Sequence, residues 1–93
     1  MNILNWINEN NQLVSHQADG SEYGVFKVSD DKETIYLAFY HPPERLGGYL
    51  DHNLKVVAGF GAVCAKGPHP NTICQTVEEA QKRCQRHNDW EYC

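Results

Sequence analysis

The chain has 93 residues, with 12 Asp and Glu against 8 Lys and Arg for a net charge of −4. That length makes one domain, residues 1–93, with a small core and little room for a deep cleft. A hydrophobic content of 41% with 22% charged residues excludes a disordered tail, and no apolar run approaches the roughly 20 residues of a membrane span.

The start, MNILNWINENN, lacks the basic and apolar regions of a secretory signal, so a cytoplasmic protein with reduced thiols is expected. In the same segment Ile3, Leu4 and Ile7 stand near i, i+3, i+4 spacing with Trp6, which predicts a short N-terminal helix or helical turn. NQLVSHQ reads as a first strand and ADGS as a turn. EYGVFKVS and TIYLAFY are strands joined through DDKE as a hairpin. In TIYLAFY, Ile35, Leu37 and Phe39 share one face, and Tyr36, Ala38 and Tyr40 the other. Apolar residues on both faces predict a central strand with one face under a helix.

HPPERLGGYLDHN follows, and its Pro42-Pro43 and Gly47-Gly48 pairs predict a long irregular connection. Long connections in compact domains are often functional. LKVVAGFGAV reads as another strand, with Gly59 and Gly61 on one face where a close-packed element could lie. CAKGPHPNTIC is a second loop.

A helix is predicted over about 76–88. Thr76 and Glu79 have the spacing of a capping box. Glu78 and Glu79 suit the positive end of the helix dipole, and Lys82, Arg83 and Arg86 the negative end. Val77, Ala80, Cys84 and His87 make a narrow apolar stripe. The fold class is therefore α+β, an antiparallel sheet of three to five strands with the C-terminal helix packed on one face.

The segments YGVFKV, TIYLAFY and TVEEAQKRCQRHN, covering about 23–40 and 76–88, resemble a group of small phage, prophage and plasmid proteins. In that group two sheet strands precede a terminal helix that opens Thr-(Leu/Val)-Glu-Glu-Ala-(Lys/Gln) and often ends Cys-x-x-His. Some small α+β proteins of mobile elements inhibit host defence, anti-CRISPR proteins among them, and the resemblance implies that role in the cytoplasm of a host cell.

The residues suggest three chemistries. Residues 1–43 carry two basic and six acidic side chains, while residues 44–93 carry six of each, so the net acidity lies in the first half. Asp19 and Glu22, and Asp30, Asp31 and Glu33, flank the strand 23–29 and suit a basic partner surface, one evolved to hold nucleic acid being a natural target. Tyr36, Tyr40, Arg45 and Tyr49 are of the residue types that anchor interfaces. The partner-binding expectation therefore rests on Asp30, Asp31, Glu33, Tyr36, Tyr40, Arg45 and Tyr49. It calls for a protein partner, no catalysis, no cofactor and no membrane. Direct nucleic-acid binding is not expected, because the aromatic strands lie in the acidic half.

The second chemistry is a zinc-stabilised regulatory domain. Cys64, Cys74, Cys84 and Cys93 are spaced C-x9-C-x9-C-x8-C, without the short pairs of structural zinc sites. Cys64, Cys74, Cys84 and His87 form the alternative ligand set; against it, Cys84 reads as a small buried hydrophobe. The third is a thiol nucleophile at Cys64 with His69 as base, for which no orienting group or oxyanion hole is visible.

Overall fold

In a computed structural model, residues 3–29, 33–44, 46–57 and 70–91 are described. The described residues form seven strands and one helix: β1 (Ile7–Glu9), β2 (Gln12–His16), β3 (Glu22–Ser29), β4 (Thr34–His41), β5 (Gly48–Leu50), β6 (Val56–Val57), β7 (Ile73–Cys74) and α1 (Val77–Glu91), with a 3-10 turn at Pro70–Thr72. All strand pairs are antiparallel. The sheet order is β1-β2-β3-β4-β5-β6, and β7 also pairs with β4. The α+β class holds, but the sheet is larger than the three to five strands expected. Among the described residues no helix is long and apolar enough to cross a membrane.

The N-terminal segment is not a helix. Residues 3–6 have no regular structure, and Ile7 begins β1. Asn10 and Asn11 both adopt left-handed backbone, with φ of 51° and 65°. Glu9 pairs with Gln12 across them. Two consecutive left-handed residues make the tight turn whose twist matches antiparallel strands, and asparagine tolerates that conformation. The turn therefore overrode the helical spacing of Ile3, Leu4 and Ile7. Leu4 is still buried, and its amide donates to Gln85 Oε1 of α1 at 2.9 Å.

The HPPERLGGYLDHN connection contains β5, contrary to expectation. Its glycines permit close backbone approach here. A Cβ on Gly48 would stand 2.6 Å from the Val57 carbonyl oxygen, and one on Gly47 2.8 Å from Phe39 Cζ. β5 and β6 form a hairpin whose turn is held by Asp51. Its Oδ1 accepts from the amides of Asn53 at 2.8 Å and Lys55 at 2.9 Å. Of the strand predicted over LKVVAGFGAV, Val56–Val57 is observed; Gly59 and Gly61 lie outside the described residues.

Helix α1 begins where the cap predicts. The Glu79 amide donates to Thr76 Oγ1 at 3.0 Å, and Arg83 pairs with Glu79 at 3.6 Å. The helix runs three residues past the expected end, so its last turn carries no basic side chain. Ala80, Cys84 and His87 face inward as the stripe predicts, joined by Asn88. They cover one side of β3 and β4, over Tyr23, Val25, Ala38 and Tyr40. The division of TIYLAFY into two faces is thus realised, with the helix on the Tyr36–Ala38–Tyr40 side.

Candidate functional site

Residues paired across strands share a face, which fixes the composition of the sheet's second face. β3 presents Gly24, Phe26 and Val28 there, opposite Phe39, Leu37 and Ile35 of β4. Tyr49 joins through its pairing with Phe39, Val14 through Gly24, and Ile7 through Val14. Ile35 and Leu37 are buried, while Phe26, Phe39, His41 and Tyr49 are half-buried.

The rings there form one assembly. Phe26, Phe39 and Tyr49 meet edge-to-face, with centroids 5.4 Å apart for Phe26–Phe39, 5.6 Å for Phe39–Tyr49 and 5.9 Å for Phe26–Tyr49. His41 stacks on Phe39 at 6.3 Å. Edge-to-face contacts of this kind are favourable beyond area burial, so the patch is a preformed surface. Burial pushes the Tyr49 phenol above its ordinary pKa, which keeps it a hydroxyl donor at neutral pH.

Carboxylates flank the rings. His16 lies between Glu9, whose Oε2 is 3.1 Å from Nε2, and Glu22, whose Oε2 is 3.2 Å from Nδ1. Glu22 pairs with His41, which places this acidic cluster beside the aromatic assembly. With His16 neutral the cluster carries two negative charges; protonating His16 leaves one.

Of the expected partner residues, those that are described fall on both sides of the sheet. Tyr49 lies in the aromatic assembly. Tyr40 is 6% exposed and sits beneath the helix, its ring centroid 4.9 Å from Tyr23 and 4.6 Å from His87. It is a core residue, because even positions of β4 face α1. Tyr36 lies on that same side, half-buried against the core. Glu33 is exposed at the start of β4. Asp30, Asp31 and Arg45 lie outside the described residues. Phe26, Phe39, Glu9 and His16 are not among the expected partner residues, although Phe26 is one of the aromatics that could stack on a sheet. The alternation Gly24-Phe26-Val28 against Ile35-Leu37-Phe39 was the signal available for the rings.

The alternative metal set is placed in part. Cys64 lies outside the described residues. Cys74 and Cys84 are buried free thiols. Burial, the largest influence on each, pushes Cys74 up to about 11 and Cys84 up to about 12. Both are thus thiols at neutral pH, whereas the thiolate is the ligand and nucleophile. His87 Nδ1 is 2.8 Å from the Tyr23 hydroxyl. Among the described residues no group of three or more His, Cys, Asp or Glu side chains is arranged to hold a metal ion.

Nothing matched. Comparison with protein-family models, curated proteins and solved structures returned no similar protein.

Proposed function

We propose that this chain is a non-enzymatic interaction module that binds a basic protein surface through the aromatic end of the sheet face opposite its helix. The observation that carries this reading is the Phe26–Phe39–Tyr49 assembly with His41, bordered by Glu9 and Glu22. An apolar centre with a polar border is the anatomy of a protein interface. Tyr49 is of the type that supplies binding hot spots. The acidic border sets the sign of the partner, since it attracts Lys and Arg.

The same border disfavours a strand of nucleic acid on this face. Stacking platforms for single strands are bordered by positive charge that follows the phosphates, and here the neighbouring side chains are Glu9 and Glu22. A partner whose own basic surface holds nucleic acid has the complementary chemistry. Occupying that surface would block it by bulk and by charge, without a cofactor. This is the route by which a mobile-element protein could inhibit a host defence complex in the host cytoplasm, as the likeness over 23–40 and 76–88 suggests.

The test is capture from a nuclease-treated bacterial lysate with tagged wild type, Tyr49→Ala and the double variant Glu9→Lys/Glu22→Lys. The reading requires a basic protein that wild type retains and both variants lose, and that is released as salt shortens the Debye length to a few ångströms. Identical retention by all three folded proteins would overturn it.

A further inference from the structure

Three of the five Lys and Arg side chains among the described residues stand on one stretch of α1: Lys82, Arg83 and Arg86. Their order along the helix suits its dipole, but the helix continues to Glu91 and gives them another setting. With Glu79 and Trp90 they follow i, i+3, i+4, i+7, i+11, which is one stripe of the helix surface. The turn of the β5–β6 hairpin stands beside that stripe. His52, Glu79, Lys82, Arg83 and Arg86 line a groove of about 270 Å³. One helical turn further, Tyr40, Leu54, Val56, His87 and Trp90 line a second of about 390 Å³, with Lys55 beside them.

The two halves differ in chemistry. The first has three cationic side chains against one carboxylate, a surplus of two positive charges with His52 neutral. Arg83 is held in place within it, because Nη1 donates to the carbonyls of Leu50 and Asn71, each at 3.1 Å. Its Nη2 also stands 3.6 Å from Glu79 Oε2, so the surplus positive charge of the groove is that of Lys82 and Arg86. The second half is mainly apolar and aromatic, with Asn53 and Lys55 also in its lining. Trp90 is 69% exposed, and its ring stands edge-on to His87 with centroids 6.1 Å apart. Arg86 and Trp90 are i, i+4 neighbours, roughly 5–6 Å apart at Cβ. A cationic groove with an aromatic pocket one helical turn further along the helix matches a ligand with an anionic group joined to a flat ring.

We propose that the cleft between α1 and the β5–β6 hairpin binds a 5′-phosphorylated nucleoside, with the phosphate on Lys82, Arg83 and Arg86 and the base against Trp90. Arginine suits a phosphate because its fork of donors matches the oxygens in pairs. An exposed indole offers the face on which bases stack. The site lies on the helix side of the sheet, away from Phe26, Phe39 and Tyr49, so it stands or falls independently of the protein-binding face.

The test is calorimetry and 1H–15N NMR on the full chain with adenosine 5′-monophosphate, adenosine, inorganic phosphate and a 5′-phosphorylated oligoadenylate. Saturable binding of the monophosphate is expected, shifting the Trp90 indole and the amides of residues 82–86. Phosphate should shift only the 82–86 amides, and adenosine should bind roughly tenfold or more weakly. Arg86→Ala and Trp90→Ala should each weaken the monophosphate roughly tenfold; Lys27→Ala, on β3, should leave it unchanged. Tighter binding of the oligoadenylate would identify the ligand as a strand, and equal binding as a free nucleotide. No saturable binding at about 10 mM, or wild-type affinity in both helix variants, would overturn the proposal; so weak an affinity corresponds to under roughly 3 kcal/mol.

Discussion

Tyr23→Phe removes one oxygen and tests how the helix is tied to the sheet. Tyr23 is fully buried on β3, and its hydroxyl is 2.8 Å from His87 Nδ1 on α1. His87 is 3% exposed, so water does not readily replace the lost hydroxyl. The ring contacts of Tyr23 with Tyr40 and His87 survive the substitution. The change therefore removes what the hydroxyl contributes and leaves the ring packing. Removing one partner of a buried hydrogen bond costs about 1–3 kcal/mol, a large share of the roughly 5–15 kcal/mol that holds a small domain folded. For a chain of this size each kcal/mol is worth roughly 4–8 °C in Tm. Urea unfolding followed by circular dichroism should show a lower midpoint with an unchanged slope, since the surface exposed on unfolding is the same. A loss below about 0.3 kcal/mol would refute the claim that this bond anchors α1, because it falls under the usual range for a buried pair.

Other consequences follow from single contacts. Thr76→Ala removes the acceptor of the Glu79 amide and should cost roughly 1 kcal/mol, with Thr76→Ser restoring most of it. Gly48→Ala would place a Cβ 2.6 Å from the Val57 carbonyl oxygen; it should loosen the β5–β6 hairpin, read as faster amide exchange at residues 49–57 while β3 and β4 keep their protection. The thiols set an alkaline limit. Cys74 is raised from 9.0 to about 11 and Cys84 from 9.0 to about 12, so above pH 9 the unfolded chain releases protons that the folded chain keeps. Their contribution to stability is whole below pH 9, falls as pH rises toward 11–12, and is flat beyond. Urea midpoints between pH 8 and 11 should fall less steeply in Cys84→Ala than in the wild type.

The parts of the fold legible in the sequence were those long enough to show a period. TIYLAFY spans enough alternations to separate its two faces, and the Thr76–Glu79 cap with its small stripe located α1. β1, β5, β6 and β7 are two or three residues long. No alternation can be seen at that length; β6 is legible only as part of the longer strand expected over LKVVAGFGAV, and β1, β5 and β7 make the sheet larger than expected. The first of them was misread because Ile3, Leu4 and Ile7 matched a helical spacing while the decisive signal was conformational, two adjacent asparagines able to turn left-handed. Strand alternation told that Tyr36 and Tyr40 share a face and that Phe39 lies on the other. It does not tell which face the helix covers, so Tyr36 and Tyr40 read equally well as interface residues. Packing decided the reverse for Tyr40. The basic stripe was legible as helix charges; its meeting with Trp90 and the hairpin turn depends on tertiary contacts and on a helix end three residues further than the dipole pattern implied.

The central claim is that a partner docks on the aromatic end of the sheet face opposite α1. NMR cross-saturation from the captured partner to this chain tests it most directly. The account predicts attenuation at the ring protons of Phe26, Phe39, Tyr49 and His41, which share that surface. Attenuation confined to Lys82–Trp90 of the helix, with those four rings untouched, would contradict it.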